Sequence, residues 1–359
     1  MKSVPRAILC MIGLVFGCFL FLLTVPIDRE GKNWCLKLLI YAVNVVGWEF
    51  NTTRNTSQYV LRNEFNSVIM PERVCDQKSL LVMMVCSAPA NFEARRAIRE
   101  TWGSERRVLG HSVSLYFLIG ETVNSSMQNE VVLESDQFGD IIQERFIDSY
   151  NNLTLKSIVM LKLATTYCIN TTSYLLKIDD DMFVNVPRLV ESLSDRNEST
   201  NVLLGKLICG ARPIKDISSK WYSPRYMYQE KVYPNYLSGT GYVMSLDVAK
   251  RLFDTTLMTP IFHLEDIYLT GICAKKAGIK PHNQPMFTYR QLHYEPCEFR
   301  NLVTMHHFPP LLLRETFEAL RDPDLDKNCE KYKPMFDSHR WLLNNILKPN
   351  RTNRKNRCD

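Results

Sequence analysis

The sequence predicts an α/β domain built on a largely parallel sheet, behind an N-terminal membrane anchor. Three observations lead there. Short apolar runs, Leu80 to Val85 and Tyr174 to Ile178, alternate with segments whose apolar residues recur at helical spacing. The stretch from Ala7 to Val25 carries no charge. Three successive carboxylates, Asp179, Asp180 and Asp181, follow directly on one of the apolar runs, where an open α/β sheet collects its ligands.

The Ala7 to Val25 run approaches the roughly 20 residues that a helix needs to cross a bilayer. It ends in Thr24-Val25-Pro26-Ile27 without a small-residue cleavage pattern, so an uncleaved anchor is expected. Lys2 and Arg6 precede it while Asp28, Arg29 and Glu30 follow, a basic bias that keeps the N-terminus cytoplasmic and sends the rest to the lumen or the exterior. The expected plan is a tail over 1–6, a signal-anchor over 7–25, a stem over 26–78, one folded domain over 79–345 and a basic tail over 346–359. A second apolar patch, Leu38 to Trp48, is interrupted by Asn44 and is too short to span. Asn51, Asn55, Asn124, Asn152, Asn170, Asn197 and Asn350 each begin an N-glycosylation triplet, in keeping with a lumenal chain.

Composition narrows the field. With 45% apolar and 23% charged residues the chain is globular, and 359 residues are enough for a substantial core. The charge of +6 is spread out, the most basic stretch being the terminal Lys348 to Arg357, so no nucleic-acid partner is expected.

Element by element, Leu80 to Val85 reads as a buried strand closed by the turn Cys86-Ser87-Ala88-Pro89. Ala94, Ile98 and Trp102 then mark a helix that Gly103 stops. Val113, Leu115, Phe117 and Ile119 alternate as a second strand ending at Gly120, and Leu155, Ile158, Val159 and Leu163 form one helix face. Tyr174 to Ile178 is another buried strand.

Its three following carboxylates repel one another and call for a cation. In extended chain Asp179 and Asp181 project to one side, and such hard oxygen donors suit Mg²⁺ or Mn²⁺ beside substrate phosphates; the alternative is an acidic turn that caps the next helix. Glu265 and Asp266 open a further helical segment that runs through Ile272 to Gly278. Either they serve the helix dipole or one of them is a general base. Ser238-Gly239-Thr240-Gly241-Tyr242, preceded by Tyr233-Pro234, is either a tight turn or a place for close backbone approach to a ligand with aromatic surfaces for sugar rings. His306 and His307 offer imidazoles that would complete a metal site or serve structure alone.

Together these segments resemble the β-1,3-galactosyltransferase and β-1,3-N-acetylglucosaminyltransferase family, glycosyltransferase family 31. The stretches that carry the resemblance are Arg95-Arg96-Ala97-Ile98-Arg99-Glu100-Thr101-Trp102-Gly103, Gly139-Asp140-Ile141-Ile142, Asp148-Ser149-Tyr150, Asn152-Leu153-Thr154-Leu155-Lys156, Lys177-Ile178-Asp179-Asp180-Asp181, Ser219-Lys220-Trp221-Tyr222, Ser238-Gly239-Thr240-Gly241-Tyr242 and Glu265-Asp266-Ile267-Tyr268, in family order between about Leu80 and His306. The resemblance implies a Rossmann-like GT-A domain, Golgi type II topology and inverting transfer from a UDP-sugar to the 3-hydroxyl of an acceptor glycan on lipid or protein. It implies Asp266 as base, Asp179, Asp181 and His306 around Mn²⁺, and Arg95, Arg99, Lys156, Asp179 and Asp180 at the nucleotide. Trp221, Gly239, Thr240, Gly241, Tyr242 and Glu265 would line the substrate site. Leu237 stands where many galactosyl members have Cys, and Asp180 where Ser is frequent, so UDP-galactose and UDP-N-acetylglucosamine both stay open as donors, as does a homodimer. A non-catalytic glycan-binding protein on this fold would be marked by loss of Asp181 or Asp266, and both are present.

Of 11 cysteines, Cys10 and Cys18 fall in the anchor, leaving an odd set of Cys35, Cys75, Cys86, Cys168, Cys209, Cys273, Cys297, Cys329 and Cys358 in an oxidising compartment. Family positions imply Cys75, Cys168, Cys273, Cys297 and Cys358 as disulfide formers, with connectivity open.

Overall fold

A computed structural model describes residues 44–62, 67–290, 295–330 and Cys358. The expected anchor, the stem before residue 44, Cys35 and Asn350 lie outside the described residues. Among those described, no helix is long and apolar enough to cross a membrane.

An apolar run without alternation suits a strand covered on both faces. Leu81, Val82, Met83, Met84 and Val85 are all fully buried in such a strand, β2 (Ser79–Cys86). It follows the short β1 (Ser67–Ile69) and precedes β3 (Arg107–Val108), β4 (His111–Glu121), β5 (Ile141–Ile147), β6 (Thr172–Asp179), β7 (Met182–Val184), β8 (Leu203–Ile208), β9 (Tyr236–Ser245), β10 (His282–Asn283) and β11 (Thr304–His306). The main sheet runs β1-β5-β4-β2-β6-β9-β8-β10. Strands β5, β4, β2 and β6 are parallel; β9 is antiparallel to both β6 and β8, and β10 returns parallel to β8. The predicted α/β class with a mostly parallel centre is therefore what forms. From β2 the chain winds outward through β4 to β5, then returns to place β6 on the other flank of β2. The order of strands thus reverses between β2 and β6, the crevice where open α/β sheets hold ligands.

Helices cover both faces. On one side α1 (Phe92–Glu100) and α4 (Val186–Ser194) contribute Ala97, Ile98, Leu189 and Val190 to a core shared with Leu81, Met83 and Val85. On the other, α3 (Leu153–Leu163) packs with α5 (Leu246–Thr256) against the sheet, while α2 (Ser125–Phe138) precedes β5. Two local expectations shift. Strand β4 runs one residue past Gly120, to Glu121, and the glycine serves close packing, since a side chain there would sit 2.6 Å from the Phe146 carbonyl. In α3 every residue from Thr154 to Leu163 is buried, not one face alone.

The described chain divides into two units. Residues 55–212 and those after 230 make the larger; residues 44–54 and 213–230 make the smaller. Within the smaller, the Tyr226 hydroxyl donates to the Trp48 carbonyl at 2.6 Å and packs edge-on against Phe50, so stem residues fold with a segment predicted inside the 79–345 domain.

Disulfides join Cys75 to Cys168, Cys209 to Cys358 and Cys297 to Cys329. Cys273, expected to pair, is instead a buried free thiol, as is Cys86. Burial pushes both thiols up to about 12.

Candidate active site

Strand β6 delivers its carboxylates at the β2/β6 crevice. The main-chain turn after Asp179 leads into β7, which pairs antiparallel with β11 in the register His306↔Met182. That register sets His306 beside Asp181, with Nε2 3.1 Å from Oδ2, while Nδ1 faces the Tyr289 carbonyl at 3.2 Å. Trp102 Nε1 donates to the Met182 carbonyl at 3.2 Å and fixes β7 from the other side. Asp181, His306 and His307 bring ligand atoms within 4.8 Å of one another. His307 holds a left-handed φ of 66°, a conformation a non-glycine residue adopts at a cost. Burial opposes ionisation of Asp181, but the hydrogen bond and charge of His306 outweigh it and hold its pKa below the ordinary carboxylate value. A carboxylate and two imidazoles are a donor set for a divalent metal ion.

Asp180 turns to the β2 side. Its Oδ2 accepts from Ser87 Oγ at 2.6 Å and from Asn91 Nδ2 at 2.8 Å, so the loop after β2 is tied to the end of β6 across the crevice. Ser87 is a hub: its hydroxyl also accepts from Arg95, and its carbonyl accepts from Lys156 Nζ. Neither Ser87 nor Asn91 was singled out from sequence; their place after an apolar run, in the turn opposite the carboxylates, was the available signal.

The cationic expectations change here. Arg95 is fully buried, paired with Glu134 at 2.6 Å and bonded to the carbonyls of Ala88 and Pro89. Arg99 pairs with Glu134 at 2.7 Å and Asp140 at 2.8 Å, between the rings of Phe117 and Phe138. Lys156, 2% exposed, pairs with Asp148 at 2.9 Å. Arg95 and Lys156 thus hold the crevice loop through Ser87, Ala88 and Pro89, and Arg99 shares the acids Glu134 and Asp140 beside them.

Ser238 to Tyr242 form not a turn but part of β9, where small residues allow two close approaches. A side chain at Gly241 would meet Ile178 Cδ1 at 2.5 Å, and one at Gly239 would meet Asp266 Cβ at 3.2 Å. Ser238 and Thr240 hydroxyls bond each other at 3.1 Å. Tyr242, expected to offer a sugar-stacking face, is fully buried, and its hydroxyl donates to Glu265 Oε1. Glu265 accordingly points inward and not toward a substrate; burial pushes its carboxyl up to about 7.

Asp266 opens the π-helical turn Ile267–Cys273, with Oδ1 accepting from Ile267 N at 2.8 Å and Oδ2 from Gly239 N at 3.2 Å. It is partly exposed, unlike Glu265. Burial raises its pKa, and the two backbone N–H groups work against that rise. The residue therefore both caps a helix and presents a fixed carboxylate, and the two readings of the pair are not exclusive.

Lys177, unmarked in the sequence reading, is 2% exposed and connects Asp179 to β9. Its signal was a lone ammonium inside a doubly buried strand. Trp221 belongs to the smaller unit, half exposed, with the Lys220 ammonium 4.7 Å from its ring. Asn51, Asn55, Asn124, Asn170 and Asn197 are exposed, whereas Asn152 is half-buried and donates to the Ile147 carbonyl at 2.9 Å.

A sequence profile of the galactosyltransferase family matches residues 93–285. β-1,3-Galactosyltransferase 1 of Homo sapiens is 38% identical over 251 residues, which cover 69% of this chain and 76% of that protein; the Mus musculus protein matches equally. β-1,3-Galactosyltransferase 2 of Homo sapiens is 37% identical over 254 residues, 68% of this chain and 60% of that one. Among solved structures, the apo bifunctional glycosyltransferase WbbM aligns with a TM-score of 0.38 at 11% identity, over 74% of this chain and 53% of that one.

Proposed function

The chain belongs to the galactosyltransferase family, and on that footing we propose that it is an inverting β-1,3-galactosyltransferase of GT-A architecture. It moves galactose from UDP-galactose to the 3-hydroxyl of a terminal N-acetylhexosamine on a glycoprotein or glycolipid. The names of the two relatives support galactose over N-acetylglucosamine as the donor sugar. The uncharged Ala7 to Val25 run supports a Golgi type II anchor.

The observation that carries the reading is the fixed carboxylate of Asp266, held by two backbone N–H groups beside a glycine strand. Inversion requires one displacement, in which a base takes the acceptor hydroxyl proton as that oxygen attacks the anomeric carbon. Supporting Asp266 in that role, its carboxylate cannot rotate without losing both bonds, and Gly239 leaves open the space that a side chain would fill. Asp181 and His306 would hold Mn²⁺, with Asp179, bonded to Lys177, assisting. When bound, the ion supplies positive charge against the departing diphosphate. Asp180, tied to Ser87 and Asn91, keeps the β2/β6 crevice at a fixed width for the nucleotide.

The test is a donor and acceptor screen on the detergent-solubilised chain: UDP-galactose against UDP-N-acetylglucosamine, with GlcNAc-, GalNAc- and galactose-terminated acceptors, with and without manganese. The expected product is a β-1,3-linked galactose that forms only with manganese. Transfer from UDP-N-acetylglucosamine alone overturns the donor assignment, and transfer from neither overturns the function.

A further inference from the structure

Lys177 spends its ammonium on groups from both sides of the proposed reaction. Nζ donates to Asp179 Oδ1 on the metal side and to the Gly239 carbonyl on β9. It lies 3.8 Å from Glu265 Oε2, and Glu265 is in turn held by the Tyr242 hydroxyl. The N–H of the same Gly239 donates to Asp266 Oδ2 at 3.2 Å. One residue of β9 therefore carries Lys177 on its carbonyl and Asp266 on its amide. The antiparallel register Lys177↔Tyr242 and Ile178↔Gly241 makes this possible by bringing β6 and β9 side by side at the level of the carboxylates.

A charge at this place is not what packing asks for. The strand around it is apolar, with Leu175, Leu176 and Ile178 fully buried. Exchanging a buried ionic cluster for apolar residues of similar volume is frequently neutral or stabilising. The ammonium, with three donors and no acceptor, instead joins three groups from three elements: the end of β6, the middle of β9 and the residue before Asp266.

We propose that Lys177 is a positioning residue for transfer, which sets Asp266 against the metal-side carboxylates by clamping Asp179 and Gly239 together; this rests on the function proposed above. It touches no reacting atom. Its removal frees β9 and Asp266 to shift, and misplacement of a reacting group by about 1 Å can cost on the order of 10²-fold in rate. At saturating manganese the displacement of Asp266 belongs in kcat, because binding of the nucleotide does not use that carboxylate; the lost partner of Asp179 is read separately, as a rise in the manganese requirement.

The experiment compares the full-length enzyme with Lys177→Met, which keeps the side-chain length without the charge, and Lys177→Ala with and without added propylammonium. UDP binding with manganese is measured by calorimetry alongside. Expected at saturating manganese are a fall of about 10²-fold in kcat for both variants, UDP affinity and donor KM within about three-fold of wild type, and partial recovery of the Ala variant by propylammonium but not by propanol. A Met variant with wild-type kcat overturns the proposal and leaves the function standing. Loss of UDP binding in both variants, or absence of amine rescue in an Ala variant that binds UDP normally, overturns it in favour of a role in folding alone. A wild-type chain that transfers neither sugar overturns the function and this proposal together.

Discussion

Gly239 donates its amide hydrogen to Asp266 Oδ2 at 3.2 Å, and a side chain built on the same glycine would lie 3.2 Å from Asp266 Cβ. The residue that orients the carboxylate is thus also the one that leaves it room. Asp266→Asn keeps the shape and removes the base, so transfer is expected to fall about 10²–10⁴-fold with UDP affinity preserved. Gly239→Ala keeps the base and displaces it, so a smaller loss, about 10-fold and confined to kcat, is expected. Steady-state kinetics with UDP calorimetry check both, and normal turnover in the Asn variant would remove Asp266 from the chemistry.

Metal dependence follows from the β7–β11 register. Asp181→Ala and His306→Ala should each raise the manganese concentration for half-maximal activity, on the order of 10-fold or more, since each removes a donor from the set. Asp181→Ala should also weaken UDP binding when manganese is present. A manganese titration of activity and of UDP binding reads both, and an unchanged midpoint for both variants would move the metal elsewhere.

Glu265 gives a pH signature. Its folded pKa of about 7 lies above the value for an unfolded chain, because burial outweighs the attraction of Lys177, and Asp266 and Asp179 repel its charge further. Between those two pKa values the folded state holds a proton that the unfolded state has lost. The contribution to stability is complete below the unfolded pKa and disappears as pH rises through about 7. Glu265→Gln carries no such titration, so its melting temperature relative to wild type should climb between pH 5 and pH 8. A difference that stays flat would show Glu265 to be ionised throughout.

Arg95 should behave as a structural ion. Arg95→Met leaves Glu134 buried with Arg99 as its other ion-pair partner, and breaking such a pair costs about 3–5 kcal/mol. Denaturant unfolding should show that loss, with UDP affinity of the folded protein little changed. A large drop in UDP affinity without destabilisation would return Arg95 to the nucleotide.

These four cases show what linear sequence conveys. Doubly buried strands were legible because five successive apolar residues from Leu81 to Val85 leave little other choice, and the carboxylates at the end of β6 followed from where such strands place their termini. The fate of Arg95, Arg99 and Lys156 was not legible, since a cation in a helix reads as surface until Glu134, Asp140 and Asp148 arrive from other elements. Glu265 and Asp266 are neighbours with opposite outlooks, one facing Tyr242 and the other Gly239, and no spacing rule separates adjacent residues at the start of a π-helical turn. The glycines of β9 left a turn and a close approach to a ligand both open, because their close contacts, Ile178 and Asp266, lie elsewhere in the chain. Cys273 was named a disulfide former by family position, yet it ends the Ile267–Cys273 turn as a buried free thiol.

The pairing of β7 with β11 also has a bearing on synthesis. Asp181 leaves the ribosome with the central sheet, whereas His306 emerges only after β8, β9, α5 and the Asp266 turn have followed. A nascent or truncated chain ending near residue 290 would possess the β2/β6 crevice and Asp266, yet lack the imidazole opposite Asp181. On the function proposed above, acquisition of manganese binding would therefore report that synthesis has passed residue 306 and that β11 has docked on β7.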